Sequence, residues 1–444
     1  MFMLPEEVNI AFDMLTNAGF EAYIVGGCVR DFLMGTDPDD FDITTSALPF
    51  EIKEVFKDFK VIETGLKHGT VTVVIKHFHL EITTFRTESS YSDNRHPDHV
   101  HFTRSLKEDL ARRDFTVNAM AYNPVVGLVD IFGGRKDLEN KIIRTVGEAK
   151  ERFSEDALRI LRALRFASKL GFDIEENTLQ AARELKESLK NVAAERVYVE
   201  FTKLLCGKNT GSVLMSCPDI LGVWVPEILP MVGFKQHNFH HIYDVWEHTV
   251  KVVENVPAVP HLRLAALMHD MGKPGTFSLD DKGVGHFYGH PKISTVLAGN
   301  VLNRLKVDNE TRHKVVELVR HHDTPLQADS KAIKRKLNKL GEQLFFDLID
   351  ICRGDNMGQA PEYRSRQKHL DLVEETARSI INQEECFSLK TLAVNGSDLM
   401  AVGFKPGPEL GEVLKFLLEL VMDSKIENSK EDLLKVAVSY CQKP

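Results

Sequence analysis

Y-I-V-G-G-C-V-R-D-F-L-M-G-T-D-P-D-D-F-D-I, residues 23–43, is the stretch from which the rest of the chain can be read. Tyr23–Val25 is a short apolar run and reads as a strand. The glycine pair Gly26 and Gly27 follows, then a helix start, then a second strand carrying acids. Lacking Cβ atoms, the two glycines let backbone come close to a ligand. A helix opening just after them would aim free N–H groups and a partial positive charge at that ligand. Arg30, one turn in, can fork onto phosphate oxygens. Asp40 and Asp42 stand one residue apart. Strand alternation puts both carboxylates on one face and turns Phe41 toward the core. Two such carboxylates repel each other unless a cation sits between them. A hard cation such as Mg²⁺ suits oxygen ligands and commonly holds a substrate phosphate as well. Each piece alone is most simply a turn and a solvated strand end. In this order and spacing they read as a phosphate cradle with paired acids, the equipment of nucleotidyl transfer on one or two metals.

At 444 residues the chain should hold two to four domains, and 43% hydrophobic content is enough for real cores. No apolar run reaches the roughly 18 residues of a membrane span. The start, M-F-M-L-P-E-E-V, lacks the basic flank and apolar run of a signal peptide. The cysteines at 28, 206, 217, 352, 386 and 441 form no C-x-x-C pair. This argues for free thiols in a reducing, cytoplasmic setting and against a zinc ribbon. A net charge of −9 is against a general nucleic-acid coat. Basic runs at 135–169 and in K-A-I-K-R-K-L-N-K (331–339) leave room for a local RNA groove.

Residues 5–18 read as an amphipathic helix. Across 22–145 strand and helix signals alternate: Val61–Thr64, Val71–Ile75 and Phe78–Phe85 as strands, Phe50–Phe56 as a helix. Glu81, on the third of these strands, is either a third metal-facing acid or a surface acid. Residues 87–110 are polar, weakly periodic and read as a long loop. In A-R-R-D-F-T-V-N-A-M-A-Y (111–122), Arg112 and Arg113 supply phosphate forks. Asp114 and Asn118, four apart on a helix face, can hydrogen-bond a ribose.

With G-G-x-V-R-D and D-x-D at the front and R-R-D-F-T-x-N-A at this distance behind them, the chain resembles the polymerase-β-type nucleotidyltransferases. More narrowly, it resembles the branch of the tRNA nucleotidyltransferases and bacterial poly(A) polymerases. The resemblance implies a mixed-sheet α/β head followed by all-α neck, HD and tail regions. V-D-I-F-G-G-R-K-D-L (129–138) and I-I-R-T-V-G (142–147) resemble the family's linking motif. In that family the 87–110 position is a flexible loop tied to the switch from C to A addition, which leans against a CC-only enzyme.

F-S-E-D-A-L-R-I-L-R-A-L-R-F (153–166) is the second informative stretch. As one helix, it would put Asp156, Arg159, Arg162 and Arg165 on a shared face. A and C both show an acceptor beside an amino donor on their pairing edge, while G and U show the reverse. An Asp acceptor beside an Arg donor therefore fits A and C and rejects G and U, and the arginines behind can meet triphosphate. The simpler alternative is a surface salt bridge. The stretch also resembles the family's E-D-x-x-R-x-x-R-x-x-R-F motif, whose Asp and Arg act there as a protein template for CTP and ATP. A-A-E-R-V-Y-V-E-F (193–201) resembles the next motif, in which Arg196 would brace the same helix.

From about 235 the chain turns histidine-rich, with His237, His240, His241, His248, His261 and His269. Imidazoles mixed with carboxylates suit a transition metal better than Mg²⁺. The series His248, His269–Asp270, His290, His321 or His322, and Asp355 resembles an HD-type metal phosphohydrolase in which Asp270 bridges metals. The alternative is an HD-shaped scaffold with core histidines. The expected ligands of this second, candidate metal site are His248, His269, Asp270, His290, His321 and Asp355. The tail, L-A-V-N-G-S-D-L-M-A-V-G-F-K-P-G-P-E-L-G-E-V-L (392–414), resembles the tRNA-contacting end of bacterial members, and 415–444 reads as two more helices.

The expected organisation is a head (1–147), a base-reading neck (148–232), an HD region (233–360) and a tRNA-binding tail (361–444). The expected activity is Mg²⁺-dependent CCA addition from CTP and ATP at a tRNA 3′ end, with no membrane partner. Asp40 and Asp42 are the expected catalytic and metal residues. Gly26, Gly27, Arg30, Arg112, Arg113, Asp114, Asn118, Asp156, Arg159, Arg162 and Arg165 are the expected nucleotide contacts. The alternatives are an A-adding or CC-adding specialist, a poly(A) polymerase, or an enzyme whose HD region is the main hydrolase.

Overall fold

The computed structural model describes residues 2–38, 40–89, 99–238 and 242–441. His240, His241 and the middle of the polar 87–110 segment lie outside them. The chain divides into two compact units, residues 1–226 with 304–306, and residues 227–303 with 307–444.

The first unit opens with helix Glu6–Asn17, which buries Val8, Ala11, Phe12 and Leu15 at i, i+3, i+4 and i+7. A seven-stranded mixed sheet follows, built from β1 (Ala22–Val25), β2 (Asp42–Thr45), β3 (Lys60–Ile62), β4 (Thr70–Ile75), β5 (Phe78–Thr84), β8 (Ala121–Asn123) and β9 (Gly127–Val129). Its order is β3-β4-β5-β2-β1-β8-β9. Only the β2–β5 pair is parallel. β1 is buried on both faces and correspondingly apolar throughout. β4 alternates, burying Val71, Val73 and Ile75.

The 87–110 expectation needs correction at its described ends. β6 (Arg86–Ser89) and β7 (His99–Phe102) pair as an antiparallel ribbon, and Leu106–Ala111 is helical, capped by the Ser105 side chain. The residues following the sheet are helical: Ala149–Glu155, Leu158–Leu170, Glu176–Glu184 and Ala194–Leu205 are the main elements. Here 153–166 proves not to be one helix. Asp156 is extended (φ −139°, ψ 104°), and its carboxylate accepts the Leu158 N–H at 3.0 Å, so the chain stops and restarts at this residue. An aspartate competes with the helix for backbone N–H groups in just this way.

The second unit is helical apart from the two-residue strands Ser278–Leu279 and Gly285–His286. Helix Val245–Asn255 lies against helix Glu342–Met357 so closely that a Cβ on Gly354 would stand 2.6 Å from Val256. Helices Pro408–Met422 and Lys430–Cys441 end the described chain. Among the described residues no helix is long and apolar enough to cross a membrane.

Candidate functional site

The first site lies where β2 and β5 run side by side. β2 starts at Asp42, and its register sets Asp42 directly opposite Glu81. Asp40 precedes the strand by two residues, and Phe41 is half-buried with its ring 6.0 Å from Phe32. Asp40 and Asp42 are both exposed. The Asp42 carboxyl is nevertheless pushed above its ordinary range. Desolvation is the main cause, resisted by Arg113, and the charges of Glu81 and Asp40 push the same way as desolvation. Three carboxylates therefore feel one another at this edge, and an all-oxygen donor set under mutual repulsion is what a hard cation relieves. Among the described residues they do not close into a set with ligand atoms mutually within 4.8 Å. The site is open.

Gly26 faces the same edge. Its φ of +82° is a region L side chains avoid, and a Cβ there would lie 3.2 Å from Arg113 Nη1. Asp109, fully buried, organises the arginines. It accepts from Arg112 Nη2 at 2.8 Å, Thr44 Oγ1 on β2 at 3.1 Å, the Arg86 N–H at 3.3 Å and Arg113 Nη2 at 3.5 Å. Arg112, expected as a phosphate fork, is thus a strut onto Asp109. Arg113, paired weakly and next to Asp42, is the one turned to the acids.

A second chain of contacts runs from the glycine turn to helix Leu158–Leu170. Arg30 donates to Asn118 Oδ1 at 2.7 Å, and Asn118 donates to Asp114 at 3.3 Å. Arg162 Nη2 reaches Asp114 at 2.5 Å, and Arg165 lies 2.8 Å from Glu200. The Arg162 charge holds the Asp114 carboxyl below its usual range against the opposing effect of burial. Asp114 and Asn118 do not share a helix face as expected. Phe115 is extended and only Thr116–Asn118 makes a 3₁₀ turn. They meet through their own hydrogen bond. Phe166 collects three guanidinium groups, Arg165 at 4.0 Å, Arg30 at 5.4 Å and Arg162 at 5.5 Å from its ring centre. Cations so placed are held electrostatically by the ring face.

Asp156 and Arg159 do not share a helix face as expected, and the salt bridge between them, the simpler alternative, is not made either among the described residues. Asp156 takes Arg196 Nη2 at 2.8 Å, while Arg159 binds Glu155 and the backbone carbonyl of Arg152. The break at Asp156 is the cause, since it removes the shared helix face. Arg159 shares helix Leu158–Leu170 with Arg162 and Arg165, and Asp156 lies two residues before that helix.

The second unit holds a different cluster. His248 Nε2 lies 3.1 Å from Asp355 and 3.4 Å from Asp270. His269 Nε2 lies 3.1 Å from Asp270, and His290 Nε2 is 3.3 Å from its other oxygen. His290 and His322 touch at 3.1 Å through their Nε2 atoms. Two buried triads, His248–His269–Asp270 and Asp270–His290–His322, have ligand atoms mutually within 4.8 Å. Here the expectation is corrected. His321 is not in the cluster, its Nε2 being 3.6 Å from Glu317, and its neighbour His322 takes the place. Adjacent helical residues point about 100° apart, so only one of the pair can face the cluster. Lys273, overlooked in the sequence, follows Asp270 by three residues across the turn between helices Pro260–Met268 and Lys273–Thr276 and contacts it at 2.7 Å. Second contacts aim the rings. His248 Nδ1 meets the carbonyl of Gly358 at 3.2 Å and His269 Nδ1 that of Ala266 at 2.7 Å.

Residues 22–144 match the poly A polymerase head domain, 171–216 the probable RNA- and SrmB-binding site of polymerase A, and 287–437 the putative domain 2 of tRNA nucleotidyltransferase. The CCA-adding enzyme of Lactobacillus helveticus is 35% identical over 424 residues, 95% of this chain and 94% of that protein. That of Pediococcus pentosaceus is 36% identical over 99% of this chain and 98% of its own length. The Bacillus stearothermophilus CCA-adding enzyme, solved in complex with CTP, superposes with a TM-score of 0.72 at 29% identity, covering 99% of this chain and 98% of that one. The Thermotoga maritima CCA-adding enzyme complexed with tRNA shares the fold, with a TM-score of 0.60 at 20% identity over 99% and 97% of the two chains.

Proposed function

The chain belongs to the CCA-adding enzymes, and from that membership we propose how its own residues do the work. It is a nucleotidyltransferase that adds C, C and A from CTP and ATP to the 3′ end of tRNA, without a nucleic-acid template, releasing pyrophosphate. Asp40 and Asp42, with Glu81 beside them, hold Mg²⁺. When bound, Mg²⁺ supplies Lewis acidity, easing deprotonation of the attacking 3′-hydroxyl and offsetting charge on the α-phosphate. Gly26 and Gly27 let the triphosphate approach the backbone. Arg113, Arg30, Arg162 and Arg165 hold its oxygens and align the α-phosphate for in-line attack. Arg112 stiffens this array through Asp109, and Asp114 with Asn118 carries the ribose contact. Asp156 and Arg159 choose the base, which requires both to leave Arg196 and Glu155 when a nucleotide arrives.

The observation that carries this reading is the register that sets Asp42 opposite Glu81, with Asp40 and Arg113 acting on the same carboxyl. The test uses three tRNA transcripts, ending before CCA, after C and after CC, with Mg²⁺ and each nucleotide singly and CTP with ATP. Growth of all three to CCA with GTP and UTP ignored is the expected result. Extension of the CC-ended RNA alone would make it an A-adding specialist, and extension of unstructured RNA with ATP alone a poly(A) polymerase.

The two triads around Asp270 favour a second reading for the other unit. We propose that His248, His269, Asp270 and Asp355 on one side, and Asp270, His290 and His322 on the other, hold a transition metal pair for phosphoester hydrolysis. Replacing His269 and Asp270 should then abolish hydrolysis of 2′,3′-cyclic or terminal phosphates while leaving addition intact. Head (1–147) and neck (148–232) would supply the transfer chemistry, the HD region (233–360) the second centre and the tail (361–444) a tRNA surface. The cytoplasm, where tRNA matures, is the compartment this reading requires.

A further inference from the structure

Helix Ser330–Leu340 carries the basic run K-A-I-K-R-K-L-N-K, and the second unit disposes of its charges unequally. Lys334 is buried and paired with Glu385 at 2.5 Å, and Arg335 is paired with Asp423 at 2.6 Å. Lys336 and Lys339 have no ion pair or hydrogen bond among the described residues. They stand three apart, so they share a helix face and repel. Burial, then the charge of Lys339, holds the Lys336 ammonium below its ordinary pKa. In a chain with more acids than bases, two neighbouring lysines without a protein counter-ion present a face suited to an anion.

That place is a cavity of about 360 Å³. Lys336, Lys339 and Arg335 line it on one side, and Leu326, Ile333 and Phe345 give it an apolar floor. His321, the histidine excluded from the Asp270 cluster, lies close to the same two lysines, and its buried Nε2 has no hydrogen-bond partner. An apolar floor beside paired ammoniums suits neither a simple inorganic ion nor an apolar ligand. It suits a nucleotide, with base or ribose on the floor and phosphate between the lysines.

We propose that this cavity holds one nucleotide of the RNA partner, its phosphodiester engaged by Lys336 and Lys339. The proposal rests on the tRNA reading above and adds to it a contact in the second unit, separate from the carboxylate edge. A free nucleotide offers the same chemistry, and RNA is favoured because exposed Lys331, one turn before Arg335 on the same helix, carries the basic run on beyond the cavity.

The experiment compares wild type with a Lys336→Ala/Lys339→Ala double variant. Affinity for tRNA is measured across a salt series, together with kcat and the KM for CTP. The variant should bind tRNA several-fold more weakly, with a slope of log affinity against log salt shallower by about 0.7 to 0.9, the share of one phosphate contact. Its kcat at saturating tRNA and its KM for CTP should be unchanged. An unchanged tRNA affinity and slope would overturn the proposal while leaving CCA addition standing. Failure of wild type to extend tRNA would instead remove the functional reading on which the proposal depends. Acylation footprinting of wild type avoids any folding defect of the variant. tRNA should protect both lysines, whereas protection by AMP and not by tRNA would assign the cavity to a free nucleotide and overturn the RNA reading.

Discussion

The carboxylates at the edge of β2 and β5 and the imidazole cluster around Asp270 are opposite arrangements for gripping a cation. At the first, Asp40 and Asp42 stand exposed, and neighbouring acids with desolvation push the Asp42 carboxyl up. At the second, His248, His269 and Asp270 are almost wholly buried and already hydrogen-bonded or ion-paired to one another. The first site is tense and open, and completion falls to metal and substrate together. The second is closed in advance, its charges balanced by each other and by Lys273. A transferase that admits two different nucleotides needs an open, rebuildable centre, whereas a preassembled cluster suits a resident metal.

The largest effect that could break this contrast lies at Asp42. Asp42→Asn should lower CTP incorporation by about 10³-fold, as loss of a group stabilising the transition state does. Because the folded-state pKa of Asp42 is raised, its ionised form opposes folding at neutral pH. In chelator the variant should therefore melt no lower than wild type. A variant that kept activity, or melted well below wild type in chelator, would show that Asp42 is structural.

The Asp270 cluster should respond the other way round. Asp270→Asn leaves Lys273 and the imidazoles without their shared counter-charge, and breaking a buried pair costs about 3–5 kcal/mol. Metal should be lost and the melting temperature lowered, while addition at permissive temperature stays within about twofold, the span of an uninvolved site. The corrected histidine gives a finer test. His322→Ala should weaken metal binding at least 10–100-fold, roughly the scale set by even an outer-shell contact, and His321→Ala should leave it unchanged. Equal effects would undo the assignment.

Base choice is the next smaller effect. Arg159→Ala should narrow the preference for CTP and ATP over GTP and UTP by about 10–100-fold, the worth of a charge-assisted hydrogen bond. Single-nucleotide incorporation with each triphosphate reads it. An unchanged preference would leave Arg159 its contacts with Glu155 and the Arg152 carbonyl and no part in base choice.

How much of this was legible in the sequence depends on the range of the interaction involved. Strand–turn–helix at Tyr23–Arg30 is local chemistry, and the observed strand and helix (Ala22–Val25, Gly27–Leu33) follow it closely. The strands over 70–75 and 78–84 follow from their alternation and the turn between them. Glu81 could be named only as a candidate, because the parallel pairing that sets it opposite Asp42 joins residues 39 apart and leaves no periodic trace. The helix break at Asp156 was hidden because apolar spacing continues through it. The only hint was the aspartate itself, a residue that caps more readily than it continues a helix. His321 and His322 cannot be told apart by composition, since the choice depends on the rotation of a helix about its axis. The β6–β7 ribbon was missed because R-T-E-S (86–89) is wholly polar and the alternation of H-V-H-F (99–102) is only four residues long. Lys273 carried a signal in its spacing of three from Asp270, whereas Glu200 meets Arg162 and Arg165 across two helices and left none.

The response of the closed cluster to pH sharpens the contrast most. Burial works to lower the His269 pKa, but the charge and hydrogen bond of Asp270, helped by Asp355, raise it to about 10. A folded-state pKa raised above the ordinary 6.5 stabilises the fold fully below about pH 6.5, and that contribution is lost as pH rises through about 10. Chelator-treated protein should therefore lose stability progressively across this window in urea titrations, with a slope for this group of at most about 1.4 kcal/mol per pH unit. Metal binding requires neutral imidazoles and expels the proton. In metal-loaded protein the loss should vanish, metal affinity should climb as pH rises, and loading in a weakly buffered solution should release acid. A chelator-treated chain whose stability is flat from pH 6.5 to 10 would mean that His269 is neutral in the empty cluster, held by hydrogen bonds rather than charge. The cluster would then be a packed polar core and no longer a charged site waiting for metal.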